Sequence, residues 1–350
     1  DSWLRAVDSE LTGLRDDLAR NENRILHGNG SGVVGETTDA DGANSLEQII
    51  SFYEHLEGQA TMDSAAMDPT HFFEVGERYC VVAQSTGAFV SSSGTATQAF
   101  TVESKTATKV TFVDPGSGAT INLTGSDDFF WIKANEAVTA LANASAGIAN
   151  EPMGLSGIVS DDNMPTYTGT IGGVYTTGDG MGAIASFQDI DVTTGNDFNK
   201  AQILDNSSVK RPLTESLIQK GLSTVEKAFH GKVDCFVSSY GIRDAFADLM
   251  LTYRRHVNRT ELRAGYSTVA YGDIPFIAER DAYPNRLIGL DKSDIRQHCM
   301  GSTDYRFIDE DGSIYHRLPD EHAFQAALYR RWTFGTMCRA RHLAILDLDE

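Results

Sequence analysis

The sequence predicts an α+β fold: a long helix first, a β-rich module after it, and mixed helix and strand to the end. Three observations carry this. Leu4, Val7, Leu11, Leu14, Leu18 and Ile25 recur at helical spacing. From about Thr70 to Ala134 the composition turns to Thr, Ser, Val, Gly and Phe in short alternating runs. From Pro212 onward, helix and strand signals alternate with clear stops between them. A period near 3.6 buries one stripe of a helix and a period of 2 one face of a strand, so the two signals divide the chain.

The first stripe carries Asp, Arg and Glu on its other faces and spans about six or seven turns. It ends at His27-Gly-Asn-Gly-Ser-Gly32, because glycine takes the left-handed conformation that closes a helix. Residues 1–7 read as helix interior and not as a signal peptide. Residues 36–44 form a polar loop. Residues 45–56 predict a second, shorter helix with Leu46, Ile49, Ile50 and Tyr53 on one side. In the β-rich stretch the runs 72–75, 78–83, 99–102, 109–113, 120–123 and 129–132 read as strands, with Pro115-Gly-Ser-Gly118 as a turn. Short strands at this density predict a small antiparallel barrel inserted as its own module.

Residues 136–206 are rich in Gly and Thr and read as extended chain, with one strand near 184–192. Pro212 suits the first turn of a helix carrying Leu213, Leu217, Leu222, Val225 and Phe229, which Gly231 closes. Residues 233–237 form a buried strand. Ser239 caps a helix running to about Arg255, with Ile242, Phe246, Leu249, Met250 and Tyr253 on its apolar face. Strands at 274–278 and 286–290 flank a Tyr283-Pro-Asn turn. Asp309-Glu-Asp-Gly312 turns a hairpin, 322–331 is a short helix, and 333–348 is a long closing strand.

Composition bounds the function. At 350 residues, 41% hydrophobic and 22% charged, the chain is of ordinary globular type with room for two or three domains. No apolar run approaches the roughly 18 residues of a membrane span. A formal charge of -20 argues against a nucleic-acid-binding surface, which needs clustered Lys and Arg. Lys is scarce and Asp abundant, as a salt-rich habitat or a GC-rich genome would each produce. Cys80, Cys235, Cys299 and Cys338 stand far apart with no C-x-x-C, which favours buried free thiols in a reducing compartment.

No catalytic, cofactor-binding or metal-binding set emerges. Gly28, Gly30, Gly32 and Gly35 follow a helix and precede a loop, the reverse of what a dinucleotide site requires. Asp309, Asp311 and Gly312 resemble the start of a calcium loop, but Asp320 stands where the bidentate Glu belongs, so a β-turn is the better reading. His298 and Cys299 are adjacent, so in a strand they point to opposite faces and cannot share a metal. His256 and His342 have no recognisable partner and read as packing or surface residues. Gly154-Leu-Ser-Gly lacks the spacing of a nucleophile elbow. The densest basic cluster is Arg254, Arg255, Arg259 and Arg263, and Arg330 with Arg331 and Arg339 with Arg341 read the same way. In an acidic chain such clusters fit the Asp and Glu of a neighbouring subunit better than nucleic acid. Arg254, Arg255, Arg259, Arg263, Arg330 and Arg331 are therefore the candidate inter-subunit contacts.

The order of elements resembles the major capsid protein of tailed viruses, the Hong Kong 97-type fold. The helix Leu4 to Leu26 with its His27-Gly-Asn-Gly-Ser-Gly exit is similar to that family's spine helix. Glu151-Pro-Met-Gly-Leu-Ser-Gly-Ile-Val resembles the lead-in to its axial domain. Pro212-Leu-Thr-Glu-Ser-Leu, Val233-Asp-Cys-Phe-Val-Ser-Ser and Arg243-Asp-Ala-Phe resemble the axial-domain helices and the strand between them. Tyr271-Gly-Asp-Ile-Pro-Phe-Ile-Ala and Leu287-Ile-Gly-Leu-Asp-Lys are similar to its strand pair, and Ala323-Phe-Gln-Ala-Ala through Leu346 to its final helix and strand. The ordered set carries the likeness; it spans nearly the whole chain and is strongest from Pro212.

The resemblance implies a peripheral domain at 1–68, an inserted β module at 69–135, an axial domain at 136–304, and a closing hairpin, helix and strand at 305–350. It implies pentamers and hexamers of one chain in an icosahedral shell around double-stranded DNA held without sequence-specific contacts, with no cofactor and no enzymatic role. Portal, scaffolding and decoration proteins would be further partners, and the virion, assembled in host cytoplasm, its location. The family's N-terminal arm and extended loop would lie upstream of Asp1, so no inter-subunit clasp or covalent cross-link can be placed. Two rival readings remain: an encapsulin-like nanocompartment shell, and a secreted modular adhesin or hydrolase.

Overall fold

Helix α1, Ser2–His27, opens the chain. Its exit is set by Gly28, whose amide donates to the carbonyls of Arg24 and Ile25, both at 3.1 Å, and Gly32 follows with φ of 77°. The computed structural model describes residues 2–28, 32–37, 46–51, 67–83, 99–113, 121, 123, 129–133, 151–160, 186–187, 190–191, 197–207, 209–253, 259–261, 267–301, 304–309, 316–317 and 324–350. From residue 9 to 20 no side chain of α1 is buried, and Leu14 is 41% exposed. Burial begins at the far end, with Ile25 and His27.

Six strands follow: β1 Val33–Thr37, β2 Glu47–Ile49, β3 Arg78–Ala83, β4 Ala99–Lys105, β5 Lys109–Phe112 and β6 Phe129–Lys133. They form one antiparallel sheet in the order β1-β6-β3-β4-β5-β2. Its two edges meet where the backbones of Glu36 and Ser51 exchange hydrogen bonds of 3.1 and 2.8 Å, so the sheet closes on itself. Inside, Phe112 and Trp131 stack at 4.4 Å, with Phe73 and Phe100 edge-on to the indole. Trp131 Nε1 donates to Thr37 Oγ1 at 2.9 Å, which donates to the carbonyl of Ile49 at 3.0 Å, so the indole is buried with its polar end satisfied.

Two expectations fail here. The helix expected over 45–56 is strand β2, paired with β5 through Glu47–Thr111, Gln48–Val110 and Ile49–Lys109. Leu46, Ile49 and Ile50 mimic a helical stripe, but the waiting edge of β5 supplies backbone partners, and tertiary pairing outweighs local preference. The expected strand 72–75 is a turn fixed by Tyr79, whose hydroxyl donates to the carbonyl of Phe72 and accepts from the amide of Glu74. Two of the six strands precede residue 69, so the β-rich module is not confined to 69–135. Of the run 120–123, Ile121 and Leu123 are described and buried; the Pro115–Gly118 turn and residues 52–56 lie outside the described residues.

A single helical turn, α2 Leu155–Ile158, leads into a minute hairpin of β7 Ser186–Phe187 and β8 Ile190–Asp191, where one strand over 184–192 was expected. Then come β9 Gln202–Leu204, α3 Glu215–Phe229, β10 Cys235–Ser238, α4 Tyr240–Tyr253, β11 Arg259–Glu261, β12 Ser267–Tyr271, β13 Ile274–Ala278 and β14 Leu287–Leu290. Thr214, not Pro212, starts α3: its hydroxyl accepts from the amide of Leu217 at 3.2 Å. His230 ends it in the left-handed conformation, φ 52°, one residue before the expected Gly231. Ser239 caps α4 as expected, accepting from the amide of Ile242 at 3.4 Å.

Among the described residues β15 Ile295–Cys299, β16 Arg306–Phe307, β17 His316–Arg317, β18 Phe324–Gln325, β19 Leu328–Tyr329, β20 Trp332–Thr336 and β21 Leu343–Ile345 follow. A seven-stranded mixed sheet runs β11-β12-β13-β10-β14-β21-β9. Alternation sorts its side chains into two layers. Phe236, Phe276, Leu287, Leu343 and Ile345 pack with Ile218, Val225, Ile242 and Phe246 of α3 and α4. Cys235, Val237, Ile288, Leu290, Ala344 and Leu346 belong to the same cluster as Trp131 and Phe112.

Strands β15 to β20 form a long two-stranded ribbon of nested pairs: Ile295–Thr336 to Cys299–Trp332, then Arg306–Tyr329, then His316–Gln325 and Arg317–Phe324. The expected turn at 309–312 is therefore not the hairpin tip, because pairing continues beyond it. Where a helix was expected over 322–331, residues 324–331 are extended chain containing β18 and β19, and 322 and 323 lie outside the described residues. From 325 to 334 exposure alternates strictly, which only an extended chain does. The expected long strand 333–348 is β20 and β21 separated by a 3-10 turn at Arg339–Arg341.

Candidate functional site

Among the described residues no group of His, Cys, Asp and Glu is placed to hold a metal ion. The arrangement nearest to catalytic chemistry is His71 with Asp281, Nε2 to Oδ1 at 2.9 Å. That carboxylate also accepts from Asn23 Nδ2 at 2.6 Å and Arg280 Nε at 2.9 Å. Burial alone would raise its pKa, but these three hydrogen bonds hold it well below the usual carboxylate range. An open cleft beside it is lined by Arg20, His71, Glu74, Lys105 and Arg280. Lys105 Nζ is spent on the carbonyl of Thr70 at 3.1 Å and that of Phe73, and Arg20 pairs with Asp17 at 3.3 Å. A carboxylate saturated from α1, the 71 turn and the 280 loop acts as a latch between elements.

The latch belongs to a larger joint at the exit of α1. Arg24 Nη1 donates to Glu151 Oε2 at 3.1 Å, and a second bond joins Nη2 to Oε1. Ser156 Oγ donates to the carbonyl of His27 at 2.5 Å and accepts from Arg286 Nη2 at 2.8 Å, while the Arg286 guanidinium lies 4.5 Å over the Tyr283 ring. Gly154 lets the chain reach the helix end; a Cβ there would stand 2.2 Å from the carbonyl oxygen of Ile25. Burial, helped by the Arg286 charge, pushes the His27 imidazole down to about 4. Such a joint grips the last turns of a long helix firmly.

The expected inter-subunit arginines fall in different places. Arg254, Arg255 and Arg263 lie outside the described residues, and Arg259 opens β11 opposite Val269. Arg330 is on the inner face of the ribbon, where Nη1 meets both carboxylate oxygens of Glu22 on α1 at 2.8 and 2.6 Å. Arg331 is on the outer face, exposed, its guanidinium 5.8 Å over the Tyr329 ring. The pair Arg339 and Arg341 is a correction. Arg339 is 1% exposed and donates to the carbonyls of Ile158, Asn199, Gly157 and Ser160 at 2.7–3.1 Å, and Arg341 pairs with Asp294 at 3.1 Å. Arg339 serves the interior of its own chain, and Arg341, half-buried, is tied to a carboxylate of the same chain. His342, read as a packing or surface residue without a partner, is buried and has two: Nε2 meets Thr336 Oγ1 at 2.8 Å and Nδ1 accepts from the amide of Asp291 at 3.3 Å, and burial pushes it down to about 4.

Sequence reasoning missed Arg296 and Arg306, which share the ribbon's outer face with Arg331. Their alternation with Gln297 and Phe307 was the available signal, readable only once the ribbon is known to be strand.

No family model matches the chain, and no curated protein matches it. Among solved structures it is similar to a chain of the holo-SrpI encapsulin complex from Synechococcus elongatus PCC 7942, at 13% identity over 42% of this chain and 53% of that one, with a TM-score of 0.32. It is similar to a chain of the cyanophage A-1(L) capsid asymmetric unit, at 14% identity, 48% and 57% coverage and a TM-score of 0.37. A chain from Mycobacterium phage Patience gives 12% identity, 55% and 60% coverage and a TM-score of 0.32. This chain thus spans between half and three-fifths of the length of each of these chains.

Proposed function

We propose that the chain is a shell subunit, the major capsid protein of a tailed virus, which assembles as pentamers and hexamers into an icosahedral shell around double-stranded DNA. The observation that carries this is α1. Over residues 9–20 it buries no side chain fully: Leu11, Leu14 and Leu18 repeat at helical spacing, yet Leu14 is exposed and the other two are only half-buried. A free helix of that length is marginal in water and gains its stability from packing an apolar face. A joint built to hold such a helix by its end makes physical sense when other copies supply the packing. The ordered resemblance to the Hong Kong 97-type sequence supports the same reading.

In this reading α1 is the spine helix, the closed sheet β1–β6 is the inserted barrel, and the seven-stranded sheet with α3 and α4 is the axial domain. The ribbon returns towards the peripheral domain, and β21 closes the chain within the axial sheet, between β14 and β9. An acidic inner wall would repel the packed genome and keep it from sticking. The protein then has a mechanical role and no enzymatic one; it resides in the virion after assembly in host cytoplasm, with portal, scaffolding and decoration proteins as further partners.

Electron microscopy of the purified protein, with assay of the particle contents, tests this. Closed particles that package double-stranded DNA are expected. Particles that enclose a protein cargo instead would transfer the chain to the nanocompartment class. A species of 38.1 kDa under all salt conditions would refute both and return attention to the adhesin or hydrolase.

A further inference from the structure

The outer face of the ribbon gathers Arg296, His298 and Met300 on one strand and Tyr329 and Arg331 on the other, with Arg306 opposite Tyr329. All six are exposed, Met300 at 73% and Tyr329 at 40%. Among the described residues none of these arginines forms an ion pair; Asp304 and Asp309 flank β16, and Glu310, Asp311, Asp320 and Glu321, further along the chain, lie outside the described residues. The inner face differs completely. There Arg330 is paired with Glu22, Trp332 stacks edge-on with Phe334 at 5.3 Å, and Ile295 and Phe334 join the main core.

We propose that this outer face docks onto an acidic surface of a second copy of the chain. This rests on the shell reading and names the surface that makes the contact. Arg, Tyr and Met are the residue types enriched at protein interfaces, where Lys and Glu are depleted. Arg296, Arg306 and Arg331 gather like charge on one face, offset only in part by the flanking Asp304 among the described residues, and an acidic partner lowers that cost. The remainder of a protein with net charge -20 is the complementary surface, present at the concentration of the ribbon itself. Nucleic acid fits less well. About three neutralised phosphates give weak binding, which the acidic body opposes. The size of the face agrees with a shell. Twelve residues at about 3.3 Å, across two strands about 4.8 Å apart, offer roughly 400 Å². That is about half of what one partner gives a stable isolated pair, so the ribbon contributes one of several contacts per subunit.

The experiment compares assembly of the wild-type protein with Arg306→Glu/Arg331→Glu, and with the control Lys220→Glu/Lys227→Glu, which changes net charge equally on exposed positions of α3. Assembly is followed by light scattering and electron microscopy at low and high salt, and folding by circular dichroism. The expected result is a critical concentration raised at least about tenfold in the ribbon variant, at an unchanged melting temperature, with the control close to wild type. Arg306→Lys/Arg331→Lys should restore most of the assembly. Ribbon and control variants that both assemble like wild type overturn the proposal and leave the shell reading intact. A ribbon variant that assembles normally but no longer retards double-stranded DNA in a gel assigns the face to nucleic acid, and equally overturns it. An equal loss in the control attributes the effect to net charge and does the same. A wild-type protein that never assembles removes the shell reading and the ribbon's role together.

Discussion

Replacing Gly154 by Ala tests the joint that holds α1. The backbone there, φ -95° and ψ -164°, is open to alanine, so no conformational strain enters. The cost is steric. A Cβ would lie 2.2 Å from the carbonyl oxygen of Ile25, 2.5 Å from that of Leu26 and 2.7 Å from that of Gly28. Ordinary carbon–oxygen contacts begin near about 3.3 Å, so something must move by about 1 Å. All three oxygens are backbone at the end of a helix, which no rotamer change can displace. Overpacking of this kind costs about 1–3 kcal/mol. Shifting the helix end also strains the Ser156 bond to His27 and the half-buried Arg24–Glu151 pair, which together add about 1–2 kcal/mol. A loss of about 2–5 kcal/mol is expected, read as a fall in the urea midpoint and as new tryptic cleavage at Arg24. A midpoint within about 0.5 kcal/mol of wild type, with Arg24 still protected, would refute the reasoning.

Gly13 is the counterpart: it sits mid-helix with nothing within 4 Å of a Cβ, so Gly13→Ala should slow amide exchange in α1 and stabilise it by about 0.5–1 kcal/mol. Arg339→Met removes a buried donor from four carbonyls, of which Gly157 keeps the Ser160 hydroxyl and Ser160 the Ala201 amide, and should cost about 2–4 kcal/mol in denaturant titration; Arg339→Lys should not rescue it, since one ammonium cannot span them all. His27 and His342 are both held neutral, each pushed from 6.5 to about 4. Their contribution is complete above pH 6.5 and is lost as pH falls from 6.5 towards 4, up to about 3 kcal/mol each. Urea midpoints at pH 7.5 and 5 should therefore differ, and the difference should shrink in His342→Gln. The latch carboxylate of Asp281 releases its stability only below its unfolded pKa near 3.8, outside that window.

The parts legible in the sequence are those whose local pattern and final packing agree. Helices α3 and α4 have an apolar stripe, a hydroxyl cap and a sheet to cover, and each feature points the same way. Strands β10 and β14 are fully buried runs whose successive residues enter opposite layers, so their apolar character is continuous. Misreadings arose where a distant partner decides. Residues 325–334 contain Ala-Ala-Leu-Tyr-Arg-Arg, all acceptable in a helix, and Arg330 interrupts the apolar alternation. Glu22, 308 residues away, neutralises it and makes it an inward-facing residue. Strand β2 and the closure at Glu36–Ser51 likewise depend on edges formed by later segments. The same effect divided the arginines. A cluster on paper says nothing of face, and Arg330 and Arg331, adjacent in sequence, serve opposite sides of the ribbon.

The mass of the protein in solution tests the central claim most directly. Sedimentation velocity across a range of concentration and ionic strength should give, beside free subunits, a sharp fast boundary of closed particles with few intermediates. A single boundary at 38.1 kDa in every condition would mean that α1 and the ribbon were never arranged for other copies of this chain, and would contradict the account.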